Sequence, residues 1–167
     1  MSTSIASRST AVCASFRGPK PTHSSQSRVW LTALAWAGII FATSCRYIDR
    51  DRFVSATGGL LPNEATREVW DQAWQAVGLL VVKGYHVAEF AILTLLVHSA
   101  LLHCDRIARV YAPSVAIVAC GMYAALDEWH QTFVPGRGGK VSDVAIDVIG
   151  IAIAVWLIRR PQPETTA

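Results

Sequence analysis

Apolar residues gather into four long runs, and almost every charge lies between them. Val29 to Cys45 carries no formal charge over 17 residues and is bounded by Arg28 and Arg46, whose long stems can reach outward and lengthen the run. Val77 to Leu102 is 26 residues long but contains Lys83, His86, Glu89 and His98. Val110 to Leu126 is another uncharged 17, with Pro113 in its first turn, where a missing N–H does little harm. Val144 to Ile158 is 15 residues, interrupted by Asp147, and reaches spanning length when the helix begins at Val141. A bilayer takes about 20 apolar residues per helix, with about 17 to 25 tolerated. The pattern therefore predicts an all-α, polytopic four-helix transmembrane bundle with spans at 29–45, 77–102, 110–126 and 141–158. A soluble bundle would set an apolar stripe against a charged face, and neither uncharged run has such a face. Trp30, Trp70, Trp74 and Trp156 fall near run ends, the depth that amphipathic rings favour.

Composition strengthens this reading. The chain is 52% hydrophobic and 16% charged, against about a quarter charged in ordinary soluble domains. That excludes a disordered protein and a small disulfide scaffold. Residues 1–28 hold Arg8, Arg17, Lys20 and Arg28, many serines and no acid, and are expected to be a disordered basic tail. Such a composition also suits an organellar transit peptide, but amphipathic periodicity is missing, which favours the tail. The membrane domain is then 29–158, with a second tail at 159–167. Four spans put both termini on one side, with Arg8, Arg17, Lys20, Arg28, Arg106, Arg109, Arg159 and Arg160; the other side has Arg46, Arg50, Arg52, Arg67, Arg137 and Lys140. Eight against six favours N-in and C-in by the positive-inside rule. The net charge of +3 then reflects a surface facing anionic membrane lipids rather than nucleic acid. Cys13, Cys45, Cys104 and Cys120 form no C-x-x-C pair, and no phosphate loop, nucleophile elbow or dinucleotide fingerprint occurs, so no cofactor or metal is expected.

The informative residues are the polar ones in or beside the runs, because an ionisable group at membrane depth costs about 2.5 to 3.5 kcal/mol on insertion scales. Lys83, His86 and Phe90 fall within about 60 degrees of one another on a helix, with Glu89 close to the face of His86. Asp127, His130 and Gln131 share a face if the third helix continues through them. Pro135-Gly136 and Gly138-Gly139 then force a turn that displays Arg137. Asp143, Asp147 and Gly150 return on one face of the last helix at i, i+4 and i+7. Lys83, His86, Glu89, Asp127, His130, Gln131, Arg137, Asp143 and Asp147 form the candidate pocket. Glu128, Lys140, Arg106 and Arg109 are expected in solvent or among headgroups, and His98 as a packing residue.

Lys83-Gly84-Tyr85-His86-Val87-Ala88-Glu89-Phe90, followed by the stretch DEWHQTFVPGRGGKVSDVAIDVIG from Asp127 to Gly150, resembles the VanZ-like membrane proteins. The resemblance covers roughly residues 77–158 and implies a multi-pass protein of the bacterial plasma membrane. The family is named for a member linked to resistance to glycopeptide antibiotics, which bind cell-wall precursors. Asp147 stands where the family often has asparagine, adding a buried charge; Phe90 stands where tyrosine is common, and Ala152 or Ala154 where a second glycine is frequent.

Three functions remain open on these residues. The pocket binds an envelope component, a lipid-linked glycan or polyprenyl phosphate, or alters antibiotic access to it, with Arg137 as a planar fork and Lys83 as a point charge. The same cluster hydrolyses or transfers at a lipid headgroup, with His86 or His130 as general base oriented by Glu89 or Asp127, or with a metal held by His86, Glu89, Asp127 and His130. In the third reading the charges lock the helices of an assembly subunit.

Overall fold

A computed structural model describes residues 23–45, 50–104, 107 and 109–160. They form five helices and no strand: α1 His23–Ser44, α2 Arg50–Gly58, α3 Glu64–Leu102, α4 Ala112–Gln131 and α5 Val141–Arg159. The all-α expectation holds. Two of these helices, α3 and α5, are long and apolar enough to cross a membrane. The runs at 29–45 and 110–126 are helical too, in α1 and α4, but those helices do not meet the same combined measure of length and apolarity.

Several boundaries differ from the sequence reading. α1 begins at His23, so residues 23–28, assigned to the tail, are helical; the Gln26 amide donates to the His103 carbonyl at 2.7 Å and ties that turn to the end of α3. Residues 1–22 and 161–167, the rest of the two expected tails, lie outside the described residues. α3 starts thirteen residues before Val77, because Asn63 caps it by accepting from the Thr66 amide and Glu64 sits in the first turn. At 39 residues it is about 58 Å long. α2, absent from the hydropathy pattern, packs on its N-terminal part through Phe53, Trp70 and Trp74, with Trp70 Nε1 donating to Thr57 Oγ1 at 2.9 Å.

The remaining contacts set the directions of the other helices. Trp36 meets Glu89 and Gln26 meets His103, so α1 runs antiparallel to α3. Lys83 meets Asp143 while Gly150 lies against Val87 and Ala91, so α5 runs parallel to α3. Ser44 meets Asp127 and Tyr123 meets Ala37, so α4 is parallel to α1. The seams are made of small residues: Cys120 and Ala124 are buried around Ile40, Phe90, Leu93 and Ile151, Ala112 and Ala116 against Leu101, and Ala33, Gly150 and Ala154 are buried as well. Cys120 is a core residue, as its place in an apolar run predicts. Large apolar side chains point outward instead, among them Leu31, Leu34, Leu79, Leu80, Val118, Met122 and Trp156.

Candidate functional site

Helix directions bring the C-terminal end of α1, the middle of α3, the C-terminal end of α4 and the N-terminal end of α5 to one end of the bundle. From Lys83 to Glu89 the polar side chains reach about 9 Å into it. At the rim Lys83 pairs with Asp143, both about one-third exposed. Deeper, Nδ1 of His86 lies 3.6 Å from Oδ1 of Asp147 and 3.9 Å from Oε2 of Glu89. Glu89 accepts from Thr43 Oγ1 at 3.3 Å, and its backbone carbonyl accepts from Trp36 Nε1 at 3.0 Å. Asp127 Oδ2 accepts from both Ser44 Oγ and Gln131 Nε2 at 2.8 Å.

The stretch after α4 closes this end. Gln131 is helical, so the face shared by Asp127 and Gln131 forms as spaced. Val134 to Arg137 is a tight turn in which the Arg137 amide donates to the Val134 carbonyl at 3.0 Å, with Pro135 second and Gly136 third. Gly136 has φ 83°, a backbone that L side chains rarely adopt, which makes the turn type II and accounts for the Pro-Gly pair. The turn points Arg137 back at the bundle, where Nη1 donates to the Ser44 carbonyl at 3.3 Å. Among the described residues no carboxylate lies within ion-pairing distance of Arg137.

Two expectations need correction. Glu128, expected in solvent, is 4% exposed: α1 meets the Asp127 side of α4 through Ser44 and the start of α5 meets the Glu128 side, so both consecutive residues turn inward. Glu128 Oε2 accepts from the Lys140 amide at 2.9 Å and ties the loop to α5. His130 shares the helix face of Asp127 but turns to α1, where Nε2 lies 3.4 Å from Cys45 Sγ and the ring stacks on Phe41. Among the described residues no group of three His, Cys, Asp or Glu side chains has a metal-holding arrangement, which removes the support for His86, Glu89, Asp127 and His130 as ligands. A described cavity of about 430 Å³ lies away from the cluster, between α2 and α3, lined by Val54, Ser55, Gly58, Gly59, Arg67, Glu68 and Asp71.

Thr43 and Ser44 were not legible as site residues, since hydroxyls at the end of an apolar run carry no signal of their own. Gly150 was, through its i+7 spacing from Asp143, and the structure explains it. A Cβ there would collide with the Val87 carbonyl, so only glycine lets α5 come this close to α3 at the level of His86.

A family model described as VanZ/LLP1 matches residues 29–161, four of the five helices in full and most of α1. The chain belongs to the VanZ/LLP1 family. Membership together with two helices of spanning length and apolarity makes it a membrane protein. The match reaches well upstream of the residues whose motifs resemble the family, taking in α1, α2 and the whole of α3. Comparison with curated proteins and with solved structures gives no match.

Proposed function

We propose that this VanZ/LLP1 protein is a four-span protein of the bacterial plasma membrane, N-in and C-in, whose polar end faces outward and binds an anionic envelope component, a lipid-linked glycan or polyprenyl phosphate. α1 and α4 serve as spans beside α3 and α5. Their large side chains point away from the bundle while alanines fill its seams, an arrangement suited to lipid rather than to water. The basic residues Arg109, Arg159 and Arg160 then lie at the inner end. Membrane lipids are the surrounding partners.

The observation that carries the binding reading is Arg137. It is half-buried on a rigid turn at the mouth of the cluster, holds one long bond to a backbone carbonyl, and leaves the rest of its fork without a carboxylate among the described residues. A planar guanidinium in that state matches a phosphate or carboxylate bidentately. Lys83, at the rim, supplies a second charge when Asp143 releases it. A structural-lock reading has its own support in the Lys83–Asp143, Asp127–Ser44–Gln131 and Glu128–Lys140 pairings.

The two readings separate on Arg137. With a phosphate ligand, Arg137→Lys abolishes binding of polyprenyl phosphate in lipid nanodiscs and leaves the thermal melt unchanged, because lysine keeps the charge and loses the fork. With a purely structural arginine, lysine substitutes, and Arg137→Ala lowers the melt because the Ser44 carbonyl loses its donor. Cells with and without the gene, challenged with glycopeptides and other envelope-directed agents, supply the physiological arm. Unchanged susceptibility and unchanged precursor pools sink the envelope reading.

A further inference from the structure

Among the described residues four side-chain polar atoms are buried with no hydrogen-bond partner: His86 Nδ1, Asp127 Oδ1 and both carboxylate oxygens of Asp147. Three of them belong to one facing pair, His86 on α3 and Asp147 on α5, with Glu89 next to it. Asp147 is 1% exposed and Glu89 2%. A buried polar group left unmatched is destabilising, and more so when charged, so this seam needs a ligand that satisfies Nδ1 and a carboxylate oxygen together.

Size restricts that ligand. The unmatched atoms are closed to solvent, and the described side chains make no metal-holding trio. The gap of 3.6 Å from Nδ1 to Oδ1 is about half an ångström longer than a good N–H···O bond, a difference that a small side-chain movement closes. A single hydrogen between the two atoms satisfies both.

Charge balance leads to the same ligand. The titratable groups acting on the pair are Lys83 and Glu89 from α3, Asp127 and Glu128 from α4, Arg137 from the turn and Asp143 from α5. α1 adds the Thr43 and Ser44 hydroxyls. Lys83 is occupied by Asp143, which leaves Glu89, Asp127, Glu128 and Asp147 opposed by Arg137. Carboxylates sharing one site cannot all stay ionised.

We infer that His86 and Asp147 form a proton-binding site between α3 and α5, in which one proton rests on the Asp147 carboxyl and is shared with His86 Nδ1. In the resting form Asp147 is a neutral acid, and the imidazole carries its own hydrogen on Nε2. Transfer breaks the Asp147 O–H bond and forms an N–H bond at Nδ1, giving a carboxylate and an imidazolium with the same total charge. Glu89 then lies beside the new cation. The site does not depend on the anion-binding reading, and it gives these two buried residues a role whether or not Arg137 meets a phosphate.

Infrared spectroscopy of the full chain in lipid nanodiscs tests this. At neutral pH the wild type should show the C=O absorption of a buried protonated carboxyl, which shifts in D2O and on incorporation of ¹³C-labelled aspartate. It should vanish in Asp147→Asn and change frequency in His86→Gln. An aspartate band that persists in Asp147→Asn, or one that disappears in Asp127→Asn instead, overturns the assignment. So does the absence of any label-sensitive protonated band in the wild type, a measurement that needs no variant to fold.

Discussion

At the scale of single residues, the polar end of the bundle is organised by acceptors more than by ion pairs. Asp127 illustrates this: one oxygen takes hydrogen bonds from two helices, through Ser44 and Gln131. Asp127→Ala strands both donors, and each buried group left unmatched costs about 1 to 3 kcal/mol. The expected outcome is a marked fall in melting temperature in detergent, while Asp127→Asn, which retains a carbonyl oxygen, should fall much less. Equal losses in the two variants would show that charge rather than acceptor geometry holds this point. Gly136 is a second case. Its φ of 83° predicts a loss of about 1 to 2 kcal/mol for Gly136→Ala, read in the same melt.

At the scale of elements, the closest approach is that of α3 to α5. Gly150 meets the Val87 carbonyl and the Ala91 amide, whereas a Cβ at Gly84, also in α3, would meet nothing within 4 Å. The two glycines therefore respond in opposite ways to one substitution. Gly150→Ala should destabilise by about 1 to 3 kcal/mol through overpacking, and Gly84→Ala should be neutral or stabilising by up to about 1 kcal/mol from helix propensity. Thermal melts of both variants check the seam without any assumption about function. Loss of stability in Gly84→Ala and none in Gly150→Ala would mean that the helices cross elsewhere. The Lys83–Asp143 pair, one-third exposed at the rim, should contribute only about 0 to 1 kcal/mol, so Lys83→Met is expected to leave the melt almost unchanged.

At the scale of the whole molecule, α3 is about twice the length that a hydrocarbon core of about 30 Å requires. α5, at 19 residues, matches that thickness, and it accompanies α3 only from Lys83 onward. The N-terminal part of α3 and the packed α2 therefore extend beyond the polar end. Cysteines report which side that is. Cys45 is exposed near the cluster, and Cys104 follows the opposite end of α3. Under the proposed orientation a membrane-impermeant thiol reagent labels Cys45 in intact cells and reaches Cys104 only after permeabilisation. The reverse pattern inverts the orientation, which rests on a basic count of eight against six.

Helix class, the four apolar runs and most of the polar faces were legible from the chain alone, because a period of 3.6 residues ties spacing directly to direction. Asp143, Asp147 and Gly150 had to share a face, and Pro135-Gly136 had to turn. The early start of α3 was written in Asn63 and Glu64 as well, a capping signal that hydropathy passes over. Spacing along one helix cannot say which neighbour a face meets. Only the packed bundle turned Glu128 inward beside Asp127, sent His130 to Cys45 and Phe41, and set Asp147 against His86. It also left Arg137 facing a backbone carbonyl. Those outcomes depend on where the helices cross, and that is set by contacts between residues far apart in the chain, such as Val87 with Gly150 and Ser44 with Asp127.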